Sequence, residues 1–119
     1  MSRPTLGVRG TIAALLATAA VAAVVLIPAA AFGGARAAST HTVTLREFLF
    51  HPASLTIHRG DRVKWVWRDE VEHNVTFHHF HSHTQVHGSY TVQFNHAGTF
   101  RYECTIHGAE GMRGKVVVH

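Results

Sequence analysis

Apolar and polar residues alternate along most of the chain from Thr40 onward. A period of two is typical of β-strands that bury one face, and no helical period persists for more than a few residues. The apolar positions of the alternating runs are Val43 and Leu45; Leu55 and Ile57; Val63, Trp65 and Trp67; Tyr90, Val92 and Phe94; Phe100, Tyr102 and Cys104; and Val116 to Val118. Turn residues separate the runs. Six or seven short strands at this spacing predict an all-β fold, an antiparallel β-sandwich.

The N-terminal segment has a different pattern, because residues 11–32 are almost continuously apolar and no charged residue lies between Arg9 and Arg36. An apolar run that follows basic residues at an N-terminus is typical of an export signal. The run exceeds the roughly 7–15 residues of a usual signal core and approaches the roughly 20 residues that span a bilayer. Residues 1–38 are therefore predicted to be either a cleaved signal peptide or a retained membrane anchor.

Both forms of this leader place the remaining domain, residues 39–119, outside the cytoplasm. The small residues Ala35-Arg36-Ala37 resemble a signal-peptidase site, and Ala29 to Ala31 offer an alternative site. The predicted location is the periplasm or another extracytoplasmic compartment. A retained leader would attach the domain to the membrane through residues 11–32.

The charge of the protein changes once the leader is set aside. The whole chain has 11 Lys and Arg against 7 Asp and Glu, which gives a formal charge of +4. Three of the basic residues, Arg3, Arg9 and Arg36, lie in the leader, so 8 remain against 7 and the formal charge is +1. No basic stripe survives in the domain, which argues against a nucleic-acid-binding protein.

The exported domain contains one cysteine, Cys104, which has no internal partner for a disulfide. Cys104, His107 and Met112 form a C-x2-H-x4-M spacing at the end of a predicted strand, and His73 stands upstream of them. One thiolate, two imidazoles and a weak axial thioether are the ligand set of a mononuclear blue-copper site. These four residues are the predicted ligands of one copper ion that cycles between Cu(II) and Cu(I).

The chain from Thr40 to Val118 resembles the cupredoxin family, in particular the plastocyanins, pseudoazurins and amicyanins. The segments that carry the resemblance are Phe48 to Pro52, Leu55 to Trp65, His73 to Phe77, Gly98 to Cys104 and Met112 to Val116. The resemblance implies an eight-stranded Greek-key sandwich with copper at one end. It also implies that Asn74 bridges to Thr105 and so holds the two ligand segments together.

The predicted function is single-electron transfer between a donor and an acceptor redox protein, both docking near His107. The protein is predicted to be a monomer and not an enzyme, because copper oxidases and nitrite reductases need further copper centres and domains. A domain of this size leaves no room for them. A two-copper site of the oxidase-subunit type is excluded as well, because it needs two cysteines in the ligand loop and only Cys104 exists.

Two polar segments near His73 leave alternatives open. The acidic residues Asp69, Glu70 and Glu72 predict either a polar turn or a docking surface. A histidine tract follows, consisting of His78, His79, His81, His83 and His87. Because clustered imidazoles bind copper, nickel or zinc, the tract predicts either an auxiliary metal site or a solvated loop between two strands. A further hypothesis is that titration of these imidazoles tunes partner docking with pH. An auxiliary site would support an alternative function in copper storage, delivery or resistance.

Overall fold

The computed structural model describes residues 22–24 and 36–119. This part of the chain contains seven β-strands and one turn of 3₁₀ helix, Gly108–Glu110, between the last two strands. The strands are β1 (Thr40–Arg46), β2 (Leu49–His51), β3 (Ser54–Ile57), β4 (Arg62–Trp67), β5 (Ser89–Gln93), β6 (Gly98–Glu103) and β7 (Arg113–Val118). The predicted all-β fold is confirmed.

The strands form two sheets, one in the order β2-β1-β4-β5 and the other in the order β3-β7-β6. Strands β1 and β4 are parallel, as are β3 and β7, and these two pairs differ from the antiparallel pairing that the strand pattern predicts. The cause is a change of sheet between β2 and β3, which are separated by only residues 52–53. Since the chain joins the second sheet without reversing, the turn before β4 brings that strand back beside β1 in the same direction.

Between β4 and β5 the chain follows an irregular path through residues 68–88. Isolated bridges pair His73 with Gln85, and Thr76 with both His81 and Glu103. Within the described residues these single bridges take the place of the eighth strand that the family resemblance implies. The segment that carries His73 is therefore held by a few specific hydrogen bonds and by packing, not by a continuous ladder.

The core lies between the two sheets and is centred on Trp65, which is fully buried. Its ring packs edge-on against Tyr102 and Phe77, with centroid separations of 5.3 and 5.6 Å. Burial raises the pKa of Tyr102 to about 12, so its phenol stays neutral at physiological pH. The other apolar side chains of the core are Val43, Leu45, Phe50, Ile57, Val63, Trp67, Val75, Phe94, Cys104, Met112, Val116 and Val118. Together with Trp65 and Tyr102, they include most of the inward positions that the alternating pattern predicts.

A buried carboxylate lies at the end of the sandwich where β4 begins. Asp61 Oδ1 accepts hydrogen bonds from Arg36 Nη1 at 2.8 Å and from the Ser39 N–H at 2.9 Å. Its other oxygen accepts the His58 N–H at 3.1 Å and lies 3.0 Å from His41 Nε2. These contacts, the Arg36 guanidinium foremost, hold the pKa of Asp61 well below its usual range. Its charge is therefore compensated within the protein.

Most of the predicted leader lies outside the described residues, which include only 22–24 and 36–38 of it. The folded unit of the domain begins at Arg36, so it includes three residues that the sequence analysis assigns to the leader. In the two described ranges no helix is apolar and long enough to pass through a bilayer. Export and the possible anchor over residues 11–32 stay predictions.

Candidate metal centre

Three of the four predicted ligands meet at the end of the sandwich where β4 finishes. His73 lies in the irregular segment after β4, where its N–H and C=O pair with Gln85 at 3.0 and 3.1 Å. Cys104 follows β6 directly, and His107 opens the 3₁₀ turn. The Cys104 segment adjoins β6, whereas the His73 segment is held by its hydrogen bonds to Gln85, and together they bring close residues that are about thirty positions apart in the chain.

The ligand atoms of His73, Cys104 and His107 all lie within 4.8 Å of one another. The two Nδ1 atoms are 3.2 Å apart, and the Cys104 Sγ is 3.6 Å from His107 Nδ1. Metal bonds of about 2.0–2.1 Å to nitrogen and about 2.3 Å to sulfur would subtend angles of about 100° and 110° at these separations. One ion can therefore bridge each of these two pairs, and the third pair, Cys104 Sγ and the His73 ring, lies within 4.8 Å.

Met112, the fourth predicted ligand, is fully buried beside this cluster. The Cys104 N–H donates to the Met112 carbonyl at 3.0 Å, and the Met112 N–H donates to the His107 carbonyl at 3.2 Å. These two hydrogen bonds close the ligand loop on itself. The buried Met112 therefore lies in the same closed loop as Cys104 and His107, and its role as a ligand stays a prediction.

The ligand loop packs closely against β6 at Gly108. A Cβ atom at this position would lie 2.6 Å from Glu103 Oε2, so a larger residue would displace either the loop or the carboxylate. The Gly108 carbonyl accepts a hydrogen bond from Arg113 Nε at 3.0 Å, and Arg113 also forms an ion pair with Glu103 at 3.3 Å. The contacts of Gly108 with Glu103 and Arg113 therefore hold the start of the 3₁₀ turn, and with it the neighbouring His107, beside β6.

Asn74 joins the two ligand segments through a fully used side-chain amide. Its Nδ2 donates to the hydroxyls of Thr84 at 3.0 Å and Thr105 at 2.7 Å. Its Oδ1 accepts the Thr76 hydroxyl at 2.8 Å and the Thr105 N–H at 3.0 Å. Two donors and two acceptors are the whole capacity of an amide. The structure thus brings Asn74 and Thr105 into direct contact, next to His73 and Cys104 in sequence.

Asp69 has a role at this site that the sequence did not predict, since the acidic cluster predicts only a turn or a docking surface. Its two carboxylate oxygens lie 3.0 and 3.2 Å from His73 Nε2, the ring nitrogen opposite the one that faces Cys104. Burial raises the pKa of Asp69, but hydrogen bonds from His73 and from the N–H groups of Val71 and Glu47 outweigh it and lower that pKa. The carboxylate stays ionised and orients the imidazole for metal binding.

Phe48 is a second unpredicted neighbour of the centre. Its ring stands edge-on to the His107 ring at 4.7 Å and to the His73 ring at 6.1 Å. Glu47 and Phe48 both have left-handed backbones, with φ of 56° and 59°, and the Glu47 N–H donates to Asp69 Oδ2 at 2.9 Å. Asp69 therefore holds the turn that places Phe48 over the two imidazoles.

The histidine tract takes no part in this cluster, and its five side chains are all exposed. Within the described ranges His73, Cys104 and His107 are the one group of three or more potential ligands close enough to share an ion. His78 and His79 approach each other, and His87 Nε2 lies 4.0 Å from Glu70. The tract is therefore a separate surface feature.

Comparison with known proteins gives this geometry a family context. The sequence model for copper-binding proteins of the plastocyanin/azurin family matches residues 37–119. The chain belongs to this family. Amicyanin-alpha from Methylorubrum extorquens is 37% identical over 118 residues, which cover 90% of this chain and 92% of that relative. A chloroplastic plastocyanin from Tetradesmus obliquus is 33% identical over 84 residues, which cover 59% of this chain and 58%, less than two thirds, of the relative.

Solved structures of amicyanin variants agree in fold with this member of the plastocyanin/azurin family. An oxidized variant superimposes with a TM-score of 0.61 at 30% identity, covering 66% of this chain and 81% of that chain. A Cu(I) form of another variant gives 0.63 at 30% identity, covering 71% and 86%. Copper is the cofactor of the family, and His73, Cys104 and His107 are positioned to hold a metal.

Proposed function

We propose that this protein is a type 1, or blue, copper electron carrier that moves single electrons between redox proteins outside the cytoplasm. The observation that carries the proposal is the convergence of His73 Nδ1, His107 Nδ1 and Cys104 Sγ within 4.8 Å, with Met112 buried beside them. We assign these four residues as the copper ligands. We assign Asn74 and Thr105 as supporting residues, which join the two ligand segments by hydrogen bonds.

The proposed mechanism depends on how little the protein has to move. Bound copper would supply a one-electron couple between Cu(II) and Cu(I). A thiolate and a thioether favour the reduced ion, while imidazole suits both oxidation states. Because Asn74, Asp69 and the hydrogen bonds of the ligand loop fix the donor atoms from several sides, the same geometry serves both oxidation states. Electron transfer then requires no bond making at a substrate, and we propose no enzymatic activity.

We propose that partners dock at the surface around His107. Three large apolar side chains are exposed in this part of the protein: Phe48 at 44%, Leu49 at 44% and Ile106 at 47%. Ile106 precedes His107 directly and the Phe48 ring contacts it, so an apolar patch surrounds the imidazole edge. Exposed apolar patches are typical of interaction sites. A redox protein with a complementary apolar rim would bring its own centre close to His107, and the carrier would act as a monomer.

Export is the remaining part of the proposal, and it rests on the apolar leader of residues 11–32. The described domain supports it in one respect: its single cysteine is buried, and a bound copper ion would protect that thiol from oxidation outside the cytoplasm. The leader is then either cleaved or retained as an anchor.

A visible absorption spectrum of the copper-loaded domain tests the proposal. An intense band toward the red end of the visible, bleached by a reductant and restored by an oxidant through repeated cycles, is the expected result. A colourless copper complex would contradict the blue-copper assignment. Copper binding with colour but without reversible bleaching would contradict the carrier function.

The alternative function, copper storage or delivery, is favoured by one observation, the close approach of His78 and His79 on the surface. The number of bound copper ions and how readily they are released separate the two functions. A carrier retains its activity with one tightly held ion, whereas a storage or delivery protein releases weakly held ions to an acceptor. Measuring copper transfer to a chelator, and electron exchange after that transfer, distinguishes them.

A further inference from the structure

The first two residues of the histidine tract form the tip of a tight two-residue turn. The Phe77 N–H donates to the Phe80 carbonyl at 2.9 Å, and the flanking residues Thr76 and His81 form an antiparallel bridge. His78 and His79 are therefore the two central residues of the turn. Both are exposed, so their rings are accessible to ions from solvent.

The base of this turn is fixed by aromatic packing. The rings of Phe77 and Phe80 stack with centroids 4.4 Å apart and an angle of 21°, and Phe77 is buried against Trp65 in the core. Thr76 is tied to β6 by two backbone hydrogen bonds with Glu103 at 2.9 and 3.0 Å. The turn is consequently anchored on both sides, and its tip loses little freedom when it binds a ligand.

The two rings at the tip are arranged as a chelating pair. His78 Nδ1 lies 2.9 Å from His79 Nε2, and the ring planes are at 83°. At metal–nitrogen distances of about 2.0–2.1 Å, this separation subtends an angle of about 90° at the metal. Two nitrogens at a right angle match neighbouring positions of the tetragonal geometry that Cu(II) prefers, whereas tetrahedral zinc needs a wider angle.

We propose that His78 and His79 form a second metal site, distinct from the buried centre, that binds one Cu(II) ion. The two imidazoles occupy adjacent equatorial positions, and water occupies the others. In the absence of the ion, a hydrogen bond holds the same two nitrogens together. One ring then shifts its proton to its other nitrogen when the ion replaces that hydrogen bond. This site takes copper that the solvent supplies and holds it less tightly than the buried donors do.

The other histidines of the tract do not complete this pair. His81 Nδ1 is engaged by the Ser82 carbonyl at 2.8 Å. His83 lines a cavity of about 360 Å³ together with Asn74 and Thr105. The proposal is therefore specific to two residues, and it predicts that replacing the other tract histidines leaves the second site intact.

Titration of tag-free, copper-loaded protein with copper sulfate tests the site. Native mass spectrometry counts the ions, and electron paramagnetic resonance separates a second, tetragonal Cu(II) signal with nitrogen couplings from that of the buried centre. We expect one additional Cu(II) in the wild type, and binding at least tenfold weaker in His78→Gln/His79→Gln. The control is His96→Gln/His119→Gln, which removes two exposed imidazoles elsewhere and should bind the second ion like the wild type.

The single variants test chelation itself. If both rings hold one ion, His78→Gln alone should weaken binding about as much as the double variant, because one remaining imidazole loses the chelate advantage. Equal affinity in the tip variant and in the wild type would overturn the proposal, and so would equal weakening in the tip and control variants. The visible band of the buried centre and the melting temperature serve as folding controls. If the wild-type protein shows no visible band, the carrier proposal fails, while the test of the second site still stands.

Discussion

Buried polar groups lie next to both ends of β4, but their surroundings differ. At its start, Asp61 is surrounded by Arg36, His41 and two backbone N–H groups, which balance its charge. Beyond its end, in the segment after β4, His73 presents one ring nitrogen toward Cys104 and His107. At the Asp61 end, protein groups balance the charge. At the other end, the donor atoms of His73, Cys104 and His107 face one common point.

The comparison shows what distinguishes a structural polar cluster from a binding site in this fold. The Asp61 cluster places donors around an acceptor, so each group is satisfied by another. The copper end brings together three atoms with lone pairs, two imidazole nitrogens and a sulfur, which a cation satisfies better than they satisfy one another. Burial is similar at the two ends, so the difference lies in the chemistry of the converging atoms and not in their accessibility.

The largest expected effect comes from replacing the thiolate. Cys104→Ser exchanges a soft, easily ionised sulfur for a hard oxygen, so the copper-loaded protein should lose its intense visible band completely. Absorption spectra of the two proteins, loaded under the same conditions, make the measurement. A variant that keeps full colour would show that Cys104 does not bind the ion, and the contrast between the two ends would lose its basis.

Copper removal should have the next largest effect, because the ion binds only where the fold brings His73 and the ligand loop together. Free copper at a thousandfold excess over its Kd would stabilise the folded state by about 4 kcal/mol. Thermal unfolding of the apo and the copper-loaded protein in one buffer measures the difference. Equal melting temperatures would indicate that the donors do not converge on a preformed site.

Replacing Asp69 tests whether copper binding depends on the carboxylate that contacts His73. Asp69→Asn removes the negative charge beside His73 Nε2 and should weaken copper binding about 10–100-fold, the usual cost of losing such a partner. Glu70→Gln is the matched control, because Glu70 is the neighbouring acid and is exposed. Competition with a chelator of known affinity measures both variants. Equal copper affinities in the two variants would show that the Asp69 contact does not support the ligand.

In protein that retains residue 36, Arg36→Gln tests the opposite end and should destabilise the domain without changing its colour. The Arg36 guanidinium lowers the pKa of Asp61 in the folded state, so its stabilisation is present above the unfolded-state pKa of about 3.9. It is lost as the pH falls toward the folded-state pKa. The melting temperature of the variant should therefore be lower than that of the wild type at pH 7, and the gap should narrow below about pH 4. A gap independent of pH would exclude the ion pair as its cause.

The smallest structural effect is expected for Met112→Leu, which keeps an apolar side chain of similar volume in the buried position. The colour should persist, because it comes from the thiolate. The reduction potential should rise, because Cu(II) loses a weak axial donor. Protein-film voltammetry with a spectrum of the same sample makes the measurement. If the variant no longer binds copper, Met112 is not a weak axial ligand.

The strands and the ligand spacing were predictable because both are local properties of the sequence. Alternation at Val63, Trp65 and Trp67 indicates a strand whatever it pairs with, and the spacing of Cys104, His107 and Met112 lies within a single loop. Whether neighbouring strands pair in parallel or antiparallel could not be predicted in the same way. The parallel pairing of β1 with β4 depends on the sheet change between β2 and β3, which leaves no periodic signal.

The supporting residues could not be predicted because their roles depend on distant backbone. Asp69 acts on His73 four residues later, but it also accepts the N–H of Glu47 from a turn that is 22 residues earlier. Phe48 reaches His107 only because that turn has a left-handed backbone at two consecutive residues. The small neighbours of Arg36 predict that it belongs to the leader, and its contact with Asp61 depends on a residue 25 positions later that no local pattern indicates.

The saturated amide of Asn74 has a consequence for the order of events in the life of the protein. Its four hydrogen bonds join the His73 segment to Thr105 with no contribution from an ion. The chain can thus reach its final shape first and receive its metal afterwards, in whichever compartment it has been delivered to. An empty molecule therefore keeps its two ligand segments joined, and it can receive an ion as long as its thiol stays reduced.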